Sequence, residues 1–104
     1  TVVERVKRYI AENIGQSLNR DELAAHFYLN PDYLSRIFKK ETGQLLSDYL
    51  LAERIRLSKD LLAKTDLPVS TVAVTVGYAN FSHYAKIFKQ ATGLTPQEYR
   101  KSSS

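Results

Sequence analysis

The chain matches itself at an offset of fifty residues, which limits the folds open to it. Tyr33-Leu34-Ser35-Arg36-Ile37-Phe38-Lys39-Lys40-Glu41-Thr42-Gly43 falls on His83-Tyr84-Ala85-Lys86-Ile87-Phe88-Lys89-Gln90-Ala91-Thr92-Gly93. From 30 to 49, seven positions in twenty are identical: Asn30, Ile37, Phe38, Lys39, Thr42, Gly43 and Tyr49. Like charges coincide at Arg36/Lys86 and Asp48/Glu98. Upstream, the match survives only at an offset of forty-nine, which sets Leu23-Ala24 against Val72-Ala73. The second copy therefore holds one extra residue near Gly77-Tyr78-Ala79-Asn80. Two copies are too few for a solenoid, in which each repeat is stabilised by its neighbours. They suit a duplicated helix–turn–helix.

The apolar spacing is helical throughout, and no stretch keeps the strict alternation of a strand. Val2, Val6, Tyr9, Ile10 and Ile14 predict a first amphipathic helix ending at Gly15. Asn19 with Glu22 resembles a capping box that opens a short helix through Phe27. Asn30-Pro31 starts a helix that runs to Gly43, with proline where a missing N–H costs nothing. A longer helix, about 46–64, ends before Asp66-Leu67-Pro68. A short apolar helix over Val69–Val76, a helix from about 81 to 92, and a last one opened by Thr95-Pro96 complete an all-α chain of about seven helices. With 104 residues, this predicts a first lobe over 1–45, a connecting helix over 46–64, a second lobe over 65–101 and a disordered tail of Ser102, Ser103 and Ser104.

In each copy a small residue, Ala24 or Ala73, lets the two helices cross closely, and a tight turn follows four residues later. Gly77 meets that turn's demand better than Tyr28. In the second helices, Leu34 with Phe38 and Tyr84 with Phe88 share one face at i, i+4, widened by Ile37 and Ile87. These are core positions. The opposite face carries Asp32, Ser35, Arg36, Lys39 and Lys40 in one copy, and Ser82, Ala85, Lys86, Lys89 and Gln90 in the other. From 83 to 93 there is no acid, although the chain holds eleven. A basic, acid-poor outer face suits entry into a major groove: cations for phosphate, polar or small groups for base edges. One such helix taken alone is usually just solvated. Two at a fixed offset are harder to dismiss.

Composition narrows the alternatives. Fifteen Lys+Arg against eleven Asp+Glu give a net charge of +4, a moderate basic excess that suits a polyanion partner without proving one. The absence of Cys excludes disulfides, thiolate zinc sites and cysteine nucleophiles. His26 and His83 are far apart and poor in acidic or histidine neighbours, so no metal site is expected. No nucleophile–base pair or phosphate loop points to an enzyme or to a cofactor, and no apolar run approaches the ~18 residues of a membrane span. The remaining rival to a DNA-binding module is a helical protein-interaction module whose basic face meets an acidic partner. The chain opens on Thr1-Val2-Val3 without Met, which reads as a piece of a longer protein.

The run Arg54-Ile55, Leu61-Leu62, Val72-Ala73, Val76-Gly77-Tyr78, Asn80, Ser82-His83-Tyr84, Lys86-Ile87-Phe88-Lys89, Thr92-Gly93, Thr95-Pro96 and Glu98-Tyr99-Arg100 resembles the signature of the AraC/XylS-type bacterial transcription regulators. Pro31, Tyr33-Leu34-Ser35-Arg36 and Phe38-Lys39-Lys40-Glu41-Thr42-Gly43 resemble that family's first unit. The resemblance covers about 3–101. It implies seven helices, with two homeodomain-like helix–turn–helix lobes bridged by the long central helix. It implies sequence-specific binding of double-stranded DNA, with recognition helices at about 31–42 and 81–92. Activation through RNA polymerase is frequent in the family. It also implies a cytoplasmic, nucleoid-associated bacterial protein, the domain itself monomeric and dimerisation lying in the rest of a signal-responsive parent. A helix of nineteen residues is ~28 Å long, near the ~34 Å of one DNA turn; a connector of that size is consistent with two helices in successive major grooves, although a long helix could equally fold the lobes together.

By position, the resemblance makes Asp32, Tyr33, Ser35 and Arg36 base-edge candidates in the first recognition helix, and Phe81, Ser82, His83, Ala85 and Lys86 in the second. Lys39, Lys40 and Lys89 are the phosphate candidates. Several residues depart from the family's pattern. Phe81 stands where polar residues are common and suits packing or a thymine methyl. Ala85 can neither donate nor accept. Asp32 either repels phosphate or accepts from a cytosine amino group, or simply favours the helix start by its charge. Leu45 replaces the Thr-type cap found at Thr95.

Overall fold

In the computed structural model, which describes all residues 1–104, the chain forms seven helices. They are α1 (Val2–Glu12), α2 (Arg20–His26), α3 (Pro31–Thr42), α4 (Leu46–Lys64), α5 (Val69–Thr75), α6 (Phe81–Thr92) and α7 (Pro96–Ser103). There are no strands. The chain divides into two compact units, Thr1–Glu53 and Arg54–Ser104. The boundary falls inside α4, so each unit takes half of that helix into its own core, where the sequence suggested a connector between lobes at 1–45 and 65–101.

Caps set most helix ends. Thr1, Asn19 and Thr95 each form a capping box, with Glu4, Glu22 and Glu98 as the returning carboxylates. Asn30 and Asn80 cap α3 and α6, and Gly43 and Gly93 close them in the left-handed region. Two ends differ from expectation. α1 stops at Glu12 rather than at Gly15, because Asn13 turns its backbone out of the helix and its amide donates to the Tyr9 carbonyl at 2.9 Å. Ser102 and Ser103, expected in a disordered tail, are the last residues of α7. Their hydroxyls donate to the Tyr99 carbonyl, at 2.8 and 2.9 Å.

In the first unit, Val3, Val6 and Ile10 of α1 pack with Leu23 and Ala24 of α2, Leu34 and Phe38 of α3, and Leu18 and Leu46. In the second, Ile55 and Leu62 of α4 pack with Val72, Ala73, Val76, Tyr84 and Phe88. Truncating a fully buried Phe such as Phe38 or Phe88 to Ala costs about 3–5 kcal/mol. Ala24 and Ala73 are buried at the helix crossings.

The connecting turns are built alike. Leu29 N–H donates to the Ala24 carbonyl and Tyr28 N–H to Ala25, matched by Tyr78 to Ala73 and Gly77 to Val74. This is the Schellman arrangement, which places Tyr28 and Gly77 at the residue that must turn left-handed. The extra residue of the second unit is Ala79, lying between Tyr78 and the cap Asn80.

Candidate nucleic-acid interface

The buried stripe of α3 (Leu34, Phe38) and that of α6 (Tyr84, Phe88) fix which side of each helix faces solvent. On α3, Asp32, Tyr33, Arg36, Lys39 and Lys40 are exposed and Ser35 is half-buried. On α6, Phe81, Ser82, His83, Lys86, Lys89 and Gln90 are exposed and Ala85 is half-buried. Each unit thus gathers its own candidates on one solvent-facing side of one helix.

The two helices present different chemistry. Tyr33, Arg36, Ile37 and Lys40 line a shallow, open depression of about 230 Å³, an apolar floor rimmed by two cations. Such a surface suits a sugar or a thymine methyl between phosphates. Lys39 donates from Nζ to the Gly43 carbonyl at 3.1 Å, so its charge also serves the C-terminal end of α3. On α6, His83 lies edge-on to Tyr78, with ring centroids 5.8 Å apart, and Phe81 is tilted against Tyr84 at 6.3 Å.

The helix starts differ as well. Asn30 Oδ1 accepts from both Asp32 N–H and Tyr33 N–H, at 2.9 and 3.1 Å. Asn80 Oδ1 accepts from His83 N–H at 2.8 Å. The first turn of α3 holds Asp32, whereas that of α6 holds no acid. Backbone N–H groups with the positive end of the helix dipole favour anions, so α6 opens on a more electropositive end.

Sequence spacing missed one residue beside this surface. Arg20, the first residue of α2, donates from Nη1 to Asp32 Oδ1 at 3.2 Å. Twelve residues separate the two, a spacing with no helical meaning, so only the packing of α2 on α3 reveals the pair. His26 is exposed and stacks on Tyr9 with centroids 3.9 Å apart.

Behind α6 the second unit holds a buried polar pair. The hydroxyls of Ser58 and Tyr84 share a hydrogen bond although both residues are fully buried. Burial pushes the Tyr84 phenol above its ordinary value, while the bond to Ser58 and the charge of Arg100 pull the other way. Arg100 is tied to the same region through Nε, which donates to the Leu62 carbonyl at 3.1 Å. Burial likewise raises the phenol of Tyr78, opposed by the guanidinium of Arg54, which lies 5.6 Å from the ring centroid.

Two helix–turn–helix units, each with an exposed, cation-bearing second helix, define the class: a DNA-binding helix–turn–helix domain. A family model described as a helix-turn-helix domain matches residues 23–102, and the chain belongs to the AraC/XylS-type family of transcription regulators. The melibiose operon regulatory protein of Escherichia coli is 34% identical over 101 residues, which are 97% of this chain and 33% of that protein. The C-terminal domain of AraT, a response regulator from Geobacillus stearothermophilus, superposes with a TM-score of 0.94 at 32% identity. That match covers 97% of this chain and 84% of the other. The DNA-binding domain of AdpA, a global transcriptional factor solved in complex with a target DNA, shares the fold with a TM-score of 0.89 at 24% identity, covering 96% and 90%. The chain spans only 13% to 35% of the length of five curated relatives.

Proposed function

We propose that this chain is the DNA-binding part of a longer bacterial transcription regulator, with α3 and α6 each reading a major groove. Asp32, Tyr33, Ser35 and Arg36 meet base edges from the first unit. Phe81, Ser82, His83, Ala85 and Lys86 do so from the second, Phe81 and Ala85 by apolar contact alone. Lys39, Lys40 and Lys89 meet phosphate. The observation that carries this reading is the repetition of one design. In both units the second helix buries its apolar stripe, Leu34 and Phe38 or Tyr84 and Phe88, and leaves its N-terminal residues and its cations in solvent, which is the side a recognition helix offers to DNA. A generic basic surface would not keep that register twice.

The role assigned is binding rather than catalysis. Duplex DNA is the partner of this chain; contact with RNA polymerase and dimerisation are assigned to the parent, acting at the bacterial nucleoid. Selection of bound duplexes from a random pool tests the reading. Two short motifs about one helical turn apart are expected, and a pool that enriches no sequence refutes it.

A further inference from the structure

Asp32 is a carboxylate at the start of α3 that does not cap the helix. Asn30 already accepts from the N–H groups of Asp32 and Tyr33, and the Asp32 side chain is 81% exposed. It stands at the N-terminal end of the helix, where a groove-entering helix meets base edges. A bare carboxylate there is repelled by the phosphates of both strands. Arg20 changes this. Its Nη1 lies 3.2 Å from Asp32 Oδ1, and its Nε lies 3.7 Å from Asp21 Oδ1, so α2 carries the guanidinium to the edge of α3. Arg20 offsets the Asp32 charge and occupies Oδ1. Oδ2 is left to accept, since an ionised carboxylate has nothing to donate. The base-edge partner suited to a carboxylate in the major groove is the cytosine N4 amino group. In the second unit, Val69 and Ser82 hold the two equivalent positions and cannot form such a pair.

We propose that Arg20 is a positioning residue that holds Asp32 as the reader of one cytosine amino group, a specificity element confined to the first unit. This rests on the DNA-binding reading above.

The test measures affinities of the wild-type chain, Asp32→Ala, Arg20→Ala and the double variant for two duplexes: the selected site, and the same site with thymine in place of the contacted cytosine. Wild type is expected to prefer cytosine by roughly tenfold, and Asp32→Ala to abolish that preference. Arg20→Ala is expected to lose most of the preference and to weaken binding to both duplexes, because the unmasked carboxylate then meets phosphate. Adding Asp32→Ala to Arg20→Ala should restore binding several-fold on both, so that on the cytosine duplex the effect of removing Asp32 changes sign with the background. Arg20→Lys, which keeps the charge, should retain affinity for the thymine duplex. Tighter binding by Asp32→Ala in both backgrounds, or a cytosine preference that survives it, overturns the proposal while leaving DNA binding intact. A wild-type chain that binds no selected duplex overturns the DNA-binding reading instead. Both side chains are exposed, and circular dichroism verifies that each variant stays helical.

Discussion

Tyr28 and Gly77 occupy the same position of the same turn in the two units, and both hold positive φ, at 56° and 105°. Glycine tolerates that conformation, whereas a side-chain-bearing residue pays roughly 1–2 kcal/mol for it. Tyr28 is 97% exposed, so its ring recovers almost nothing by packing. Tyr28→Gly is therefore expected to stabilise the chain by about 1 kcal/mol, less the entropy that glycine adds to the unfolded state. Thermal unfolding should show a midpoint a few degrees higher. A lower midpoint would mean that the tyrosine makes a stabilising contact on the surface.

Removing the hydroxyl of Ser58 strands a buried phenol. Ser58→Ala should cost about 1–3 kcal/mol in denaturant unfolding. Tyr84→Phe in the Ser58→Ala background should cost much less than it does in wild type, because no unpaired group is then left. Additive costs would show that the pair does not act as a unit.

Two groups make stability depend on pH in opposite directions. The Tyr84 phenol is raised above its ordinary value of 10.0, chiefly by burial. Folding thus keeps its proton, and the contribution, complete below pH 10, is lost as pH rises from there through the folded value. Alkaline unfolding should shift to higher pH in Tyr84→Phe, measured against that variant's own stability at pH 7. The Glu98 carboxyl is lowered from 4.5, first by the Thr95 backbone N–H and then by its hydroxyl. Its contribution is present above that pH and is lost as pH falls through the folded value. Glu98→Gln should flatten this acid limb, and an unchanged limb would show that Glu98 does not contribute to it.

The two classes of cation predict different losses on DNA. Arg36→Ala should cost about 1–3 kcal/mol at the cognate site and relax preference at one base position. Lys89→Ala should weaken binding alike on all sequences and lower the slope of log K against log salt by about one. Titrations at several salt concentrations separate them. A constant slope with lost selectivity for Lys89→Ala would reverse the assignment.

The helices were legible wherever local chemistry sets their ends. Asn30-Pro31 and Gly43 bound α3 as expected, and Asn80 and Gly93 bound α6. The core stripes followed from i, i+4 spacing, because a helix shows one face to its neighbours. What the sequence hid depends on contacts between elements. The Arg20–Asp32 pair joins two helices, and the Ser58–Tyr84 bond spans 26 residues. The end of α1 turned on the Asn13 side chain competing for the Tyr9 carbonyl, a choice that apolar spacing does not register. In α7, serines that look frayed by composition bond back to the Tyr99 carbonyl.

The proposed function requires α3 and α6 each to read their own part of one duplex. Repeating the random-pool selection with Arg36→Ala and with Lys86→Ala tests it most directly. Each variant should keep one of the two wild-type motifs and lose definition in the other, and the motif lost should differ between them. If both variants blur the same motif, or neither blurs any, the two helices are not independent readers and that requirement fails.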